Sequence, residues 1–189
     1  MRRKQLVRIA AASALALGSL AGCSTYHAAT SYLFSNSAST CPDAAILATT
    51  ASLPAFDPAK GDDPSNVLYS VVLKDVKARC DYSKRDYTAD VRLKLFYQAD
   101  RPPGGIEARY RVPYFVAVVT GGQIVDKEIH WLELGFRDGA VSSASDAVVE
   151  STIVHVEKSK KPYEYHMVVG FQLTKAQIDY IKKMGRYAP

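Results

Sequence analysis

Tyr87–Gln98 reads YTADVRLKLFYQ, and this stretch decides the fold. Tyr87, Ala89, Val91, Leu93, Leu95 and Tyr97 alternate with Thr88, Asp90, Arg92, Lys94, Phe96 and Gln98. A period of two with one mostly polar face is the mark of an antiparallel strand buried on one side only. Such a strand needs paired neighbours and an apolar layer to lie against, so the flanking sequence is read for both.

Upstream, Val67 to Tyr82 forms a long strand whose face changes partway. Val67, Tyr69, Val71 and Leu73 share one parity, and Val76, Ala78, Cys80 and Tyr82 share the other. A change of parity at Lys74-Asp75 predicts a bulge. Before it, Ala44 to Thr49 is a short apolar segment, and Pro54 to Asn66, with Gly61 and three prolines, reads as a long loop.

Downstream, Pro102-Pro103-Gly104-Gly105 marks a loop, and Val112 to Val119 is nearly all apolar. Gly121-Gly122 then predicts a tight hairpin turn, because primed turns require positive φ, with the return strand over Gln123–Phe136. Gly139 to Ser145 reads as a loop. Val148–Val156 and Tyr163–Leu173 read as a second hairpin around Lys160-Lys161-Pro162, with Val154, Val156, Tyr165, Met167, Val169 and Phe171 turned inward. Thr174-Lys175-Ala176-Gln177 fits a capping box. Ile178, Ile181 and Met184 follow as a one-sided stripe for a short helix, which Gly185 ends. About seven strands and one terminal helix predict an all-β, antiparallel β-sandwich of immunoglobulin- or fibronectin-like layout. A small barrel, or a sheet packed on the helix, is the alternative. Without βαβ alternation there is no dinucleotide or P-loop scaffold.

The N-terminus carries a different message. Arg2, Arg3, Lys4 and Arg8 precede the uncharged run Ile9–Ala21, whose 13 residues fall short of the ~20 needed to span a bilayer. This is the form of an export signal. It ends in Leu20-Ala21-Gly22-Cys23, which resembles the lipobox of bacterial lipoproteins. The resemblance implies that residues 1–22 are a removed signal peptide and that Cys23 carries the lipid. Two or more acyl chains would then give stable anchoring, at ~0.8 kcal/mol per buried methylene. Ser24, where an Asp would retain such a protein at the inner membrane, implies an outer-membrane location facing the periplasm. Residues 23–40, rich in Ser, Thr and Ala with Tyr26, Tyr32, Leu33 and Phe34 interspersed, read as a tether, and residues 41–189 as the domain. CPDAAILATTASLPAFDP (Cys41–Pro58), YFVAVV (Tyr114–Val119) and GFQLTKAQIDY (Gly170–Tyr180) resemble a family of alphaproteobacterial lipoproteins. That family brings no established activity or site residues.

Processing also changes the charge balance. The precursor has a formal net charge of +5. Loss of four basic residues with the signal leaves 20 Lys and Arg against 19 Asp and Glu in the 167 residues that remain. Near-neutrality is no footprint for nucleic acid. Cys41 and Cys80 are the remaining cysteines, and in an oxidising periplasm such a pair is expected to form a disulfide. A redox or metal role would call for CxxC spacing or a nearby His, and neither is present.

The search for chemistry yields little. His27 lies in the tether. The second hairpin would place His155 opposite His166, but two imidazoles make an incomplete metal site, so both are read as exposed strand residues. Asp57, Asp62, Asp63 and Asn66 crowd one loop with oxygen ligands of the kind calcium takes. Their spacing matches no EF-hand, and these residues also build turns. Ser142, Ser143 and Ser145 lack a nucleophile-elbow context. Tyr110, Tyr114, Tyr163 and Tyr165 are attributed to strand propensity rather than to a binding face, and His130-Trp131 is expected in the core. No cofactor, metal or catalytic set is expected. The partners expected are the membrane, through the lipid, and another envelope protein. A solute- or glycan-binding lipoprotein and a hydrolase are the alternatives.

Overall fold

The structure, a computed structural model, describes residues 41–61 and 63–185. Cys23, His27, the segments expected as signal peptide and tether, and Asp62 lie outside the described residues.

The strands are β1 (Asp43–Ile46), β2 (Ser52–Phe56), β3 (Val67–Ser83), β4 (Thr88–Asp100), β5 (Ala108–Thr120), β6 (Gln123–Phe136), β7 (Ser142–His155) and β8 (Tyr165–Phe171), followed by helix α1 (Lys175–Lys183). They form two four-stranded sheets, in the orders β1-β8-β5-β6 and β2-β3-β4-β7. Both sheets are open-edged, so the all-β sandwich holds and the barrel does not. Eight described strands stand where about seven are expected. The extra one is β2, which pairs antiparallel with β3 inside the stretch read as a loop. Pro54 disguised it, since a proline is tolerated on an edge strand.

Strand β4 lies between β3 and β7, with Ala89, Val91, Leu93, Leu95, Tyr97 and Ala99 buried. The bulge in β3 falls where the parity changes. Leu73 pairs with Tyr97 and Asp75 with Phe96, so Lys74 is left over and Val76, Ala78 and Cys80 come opposite Leu95, Leu93 and Val91. The extra residue returns an apolar set to the inner face that would otherwise point outward. At the β5–β6 hairpin Gly121 and Gly122 have φ of +58° and +75°, the pair of left-handed residues that a primed turn requires.

The second hairpin is corrected. β7 pairs with β4 in one sheet and β8 with β5 and β1 in the other, so the chain crosses the core between them. The inward residues were read correctly: Val154, Val156, Tyr165, Met167, Val169 and Phe171 are all buried. They meet across the core instead of side by side, because alternation selects a face and leaves the neighbouring strand open. β7 also begins at Ser142, inside the segment read as a loop.

Cys41, two residues ahead of β1, is bridged to Cys80 in β3 with Cα atoms 5.8 Å apart, tying one sheet to the other. In α1 the Thr174 hydroxyl accepts from the Gln177 N–H and the Gln177 side chain accepts from the Thr174 N–H, completing the capping box. Of the expected stripe only Ile181 is buried, whereas Ile178 and Met184 stay exposed. The helix docks on β2 instead through Tyr180, edge-on to Phe56 at 5.3 Å, and through Gln177 Nε2, which donates to the Pro54 carbonyl at 2.8 Å.

Candidate functional site

The sites suggested by sequence are dispersed. His155 pairs with Thr88 on β4, and His166 lies on the other sheet beside Asp43, with Nδ1 2.5 Å from its carboxylate. The two histidines are therefore not opposite each other. In the acidic loop, Asp57 accepts from the Ala59 N–H and Asp63 from the Ser65 N–H and hydroxyl. These hydrogen bonds hold the Asp63 carboxyl below its ordinary range, and both aspartates are engaged in capping turns. Among the described residues no three His, Cys, Asp or Glu side chains are grouped to hold a metal. Ser142, Ser143 and Ser145 pair with Asp100, Ala99 and Tyr97 at the start of β7. Tyr114 and Tyr165 are buried, Tyr110 packs against Tyr69 with ring centres 4.3 Å apart, and Tyr163 is exposed. These tyrosines make no common face.

One residue departs from its expected place. Trp131 is 55% exposed on the outer face of β6. The signal was in the sequence: Leu132, Leu134 and Phe136 set the inward parity of β6, and Trp131 shares the other with Glu133 and Gly135. Its neighbour His130 turns inward, stacks on Tyr114 at 5.4 Å and sets Nε2 3.3 Å from Glu128.

Around Trp131 the outer surface is built from cross-strand pairs. Pro113 lies opposite Trp131, Arg111 opposite Glu133, Phe115 opposite Ile129 and Arg109 opposite Gly135. The Arg111 guanidinium sits 5.3 Å over the Trp131 ring, and its Nε is 3.7 Å from Glu133. A cation over an indole face is worth ~0.5–1 kcal/mol at an exposed site. Beside them is an open depression of about 490 Å³, lined in part by Arg109, Arg111, Glu133 and Gly135.

Toward its N-terminal end β6 stands clear of the other layer. Ile124, Val125 and Ile129 are exposed along with Trp131, and among the described residues β6 pairs only with β5. Which backbone groups face outward follows from two bonds. The Pro113 carbonyl accepts from the Gln172 N–H and so points away from β6. The next β5 residues therefore turn toward β6 and pair Val112 with Leu132 and Tyr114 with His130. Odd-numbered β6 residues then present their N–H and C=O groups at the free edge. The Glu133 carbonyl agrees, because it accepts a 2.8 Å hydrogen bond from the Tyr97 hydroxyl instead of from a strand.

A second cluster, at the far end of β4, is a clasp. Arg101 donates to the carbonyls of Ala140, Ile106, Gly105 and Arg137 and lies 4.7 Å over the Phe136 ring. One guanidinium thus organises two loops, a role nothing in the local sequence marks.

Comparison with protein-family models, curated proteins and solved structures found no match.

Proposed function

We propose that this chain is a non-catalytic envelope lipoprotein, anchored through Cys23 at the periplasmic face of the outer membrane, and that it docks another envelope protein through strand β6. The observation that carries the reading is the edge of β6, which among the described residues pairs with β5 alone and leaves Ile129 and Trp131 exposed beside main-chain groups that no strand takes. An edge strand is a template for pairing with another chain, and an added strand is the recognition mode that suits one. The lipobox-like Leu20-Ala21-Gly22-Cys23 supports the anchor.

A photo-crosslinking residue in place of Ile129, activated in intact cells, tests the docking. One discrete adduct is expected, and no adduct at any exposed β6 position would refute it. For the anchor, Cys23→Ala is expected to move the protein out of the membrane pellet or leave the precursor uncut. A second reading, a glycan-binding lipoprotein, draws on the depression beside Trp131, where Arg109, Arg111 and Glu133 offer polar contacts next to an indole face. Shifts of the Trp131 indole NMR signal on adding envelope oligosaccharides would support that reading, and an unmoved signal would count against it.

A further inference from the structure

Resting on the reading that β6 docks a protein, we infer that its occupant is a second copy of this chain in place of a different envelope protein, paired antiparallel about a two-fold axis that passes beside Ile129. A two-fold perpendicular to the sheet keeps outer faces together, so each residue meets one of the same parity and the same surface serves both copies. The register is then limited to a few choices, and the charges sort them.

The central run is Asp126-Lys127-Glu128-Ile129-His130-Trp131. Centred on Asp126, Lys127 or Glu128, the pairing brings that charged residue against its own copy, and the Lys127 register also sets Asp126 against Glu128. Like charges directly opposite are destabilising. Centred on Ile129, no charge meets its like, and Asp126 falls opposite Leu132 only at the end of the ladder. Ile129 meets Ile129, Lys127 meets Trp131 as a cation that must turn from the Phe115 ring and the Gln172 side chain to reach the indole, and Glu128 meets His130. The first two pairs lie on the outer face and the third on the inner face. Centred on His130, the pairing would need the Glu133 main chain opposite Lys127, and Tyr97 already occupies the Glu133 carbonyl.

The backbone agrees with the Ile129 register. Ile129, Lys127 and Trp131 belong to the odd set whose N–H and C=O groups face the edge, so Ile129 with Ile129 and Lys127 with Trp131 become hydrogen-bonded pairs once the exposed Lys127 N–H exchanges the Asp126 carboxylate, to which it donates at 2.8 Å, for the partner's carbonyl. The stretch is regular where this is needed. The break in β6 register lies at Val125, since Val118 pairs with Asp126 and Val119 with Ile124. From Asp126 to Leu132 the ladder is uninterrupted, and it stops where the Tyr97 hydroxyl takes the Glu133 carbonyl. The charges that would discourage indiscriminate strand addition thus favour one specific pairing.

Cysteine substitution in the full-length protein in its native envelope tests this. Directly paired strand residues have Cα atoms ~5.5 Å apart, within the ~4.4–6.8 Å range a disulfide spans. Ile129→Cys is expected to give a covalent dimer on non-reducing gels. Gln123→Cys, whose two copies would stand twelve residue steps apart or ~40 Å, is expected to give none. Co-expression of Lys127→Cys and Trp131→Cys subunits is expected to give a mixed dimer, whereas Lys127→Cys alone gives little. Retention of the Cys41–Cys80 bridge in each variant shows that it has folded. Equal dimer from Gln123→Cys and Ile129→Cys, or no dimer from folded Ile129→Cys, overturns the proposal. If the photo-crosslinker at Ile129 captures a protein of another mass while Ile129→Cys gives no dimer, the second-copy proposal fails and docking stands. If neither gives an adduct, both fail.

Discussion

The hydroxyl of Tyr97, rooted in one sheet, donates a 2.8 Å hydrogen bond to the main-chain carbonyl of Glu133 in the other. It joins the sheets at the point where β6 passes from a covered strand to an open one. The ring is buried, and burial pushes its phenol pKa up. Tyr97→Phe keeps the packing and removes the bond. The expected loss is ~1 kcal/mol, read as a lower urea midpoint with an unchanged slope. An unchanged midpoint would mean that water replaces the hydroxyl without cost.

The Cys41–Cys80 bridge holds the entry of the chain into the domain. β1 has four residues, is parallel to β8 and lies at a sheet edge, so its own ladder is weak. The bridge spans 39 positions, and closing a loop of that size in the unfolded chain is worth ~4 kcal/mol in the chain-entropy model. Replacing both cysteines by Ser is expected to lower stability by about that amount and to expose β1 amides to hydrogen exchange first. Uniform loss of protection across both sheets would contradict the second part.

Alkaline pH should destabilise the fold through a buried tyrosine. Burial, and secondarily the neighbouring Tyr110, pushes the Tyr69 pKa up to about 12. In the unfolded chain the phenol ionises near ~10. The folded state therefore keeps a proton that the unfolded state gives up. This contribution is intact below about 10 and is lost as pH climbs to about 12. Denaturation midpoints measured across that window should fall, and Tyr69→Phe should flatten the fall. The same slope in both proteins would exclude Tyr69 as the source.

Gly170 is a close approach. On β8 opposite Phe115, it would place an added Cβ against the Thr50 side chain and 2.9 Å from the Phe115 ring. Gly170→Ala is expected to cost ~1–3 kcal/mol by overpacking. Gly135→Ala, where no atom lies within 4 Å of the added carbon, is expected to stay within ~0.5 kcal/mol. Thermal melts of the two variants side by side decide it, and equal shifts would refute the packing argument.

Much of the architecture was legible in local pattern. The alternation of β4, the parity change at Lys74, the paired glycines at 121 and 122 and the Thr174–Gln177 cap each stand in the structure where the residues placed them. Trp131 was legible too, by its parity with Glu133, but its apolar character suggested the core. β2 was hidden by Pro54. The Arg101 clasp had no local mark, because its acceptors are carbonyls on two separate loops.

Taken alone, the sequence determined which face of most strands turns inward, where β3 bends and the β5–β6 hairpin turns, and that the fold is all-β with a short terminal helix. These properties are written in neighbours one or two positions apart, through the steric and solvation preferences of each side chain. Beyond the β5–β6 hairpin, tertiary structure decided which strand lies beside which. β7 and β8, each with an inward-facing apolar set, went to opposite sheets because burial rewards a face and is indifferent to the neighbour. The same choice left β6 and β7, among the described residues, as the long edges of the two sheets.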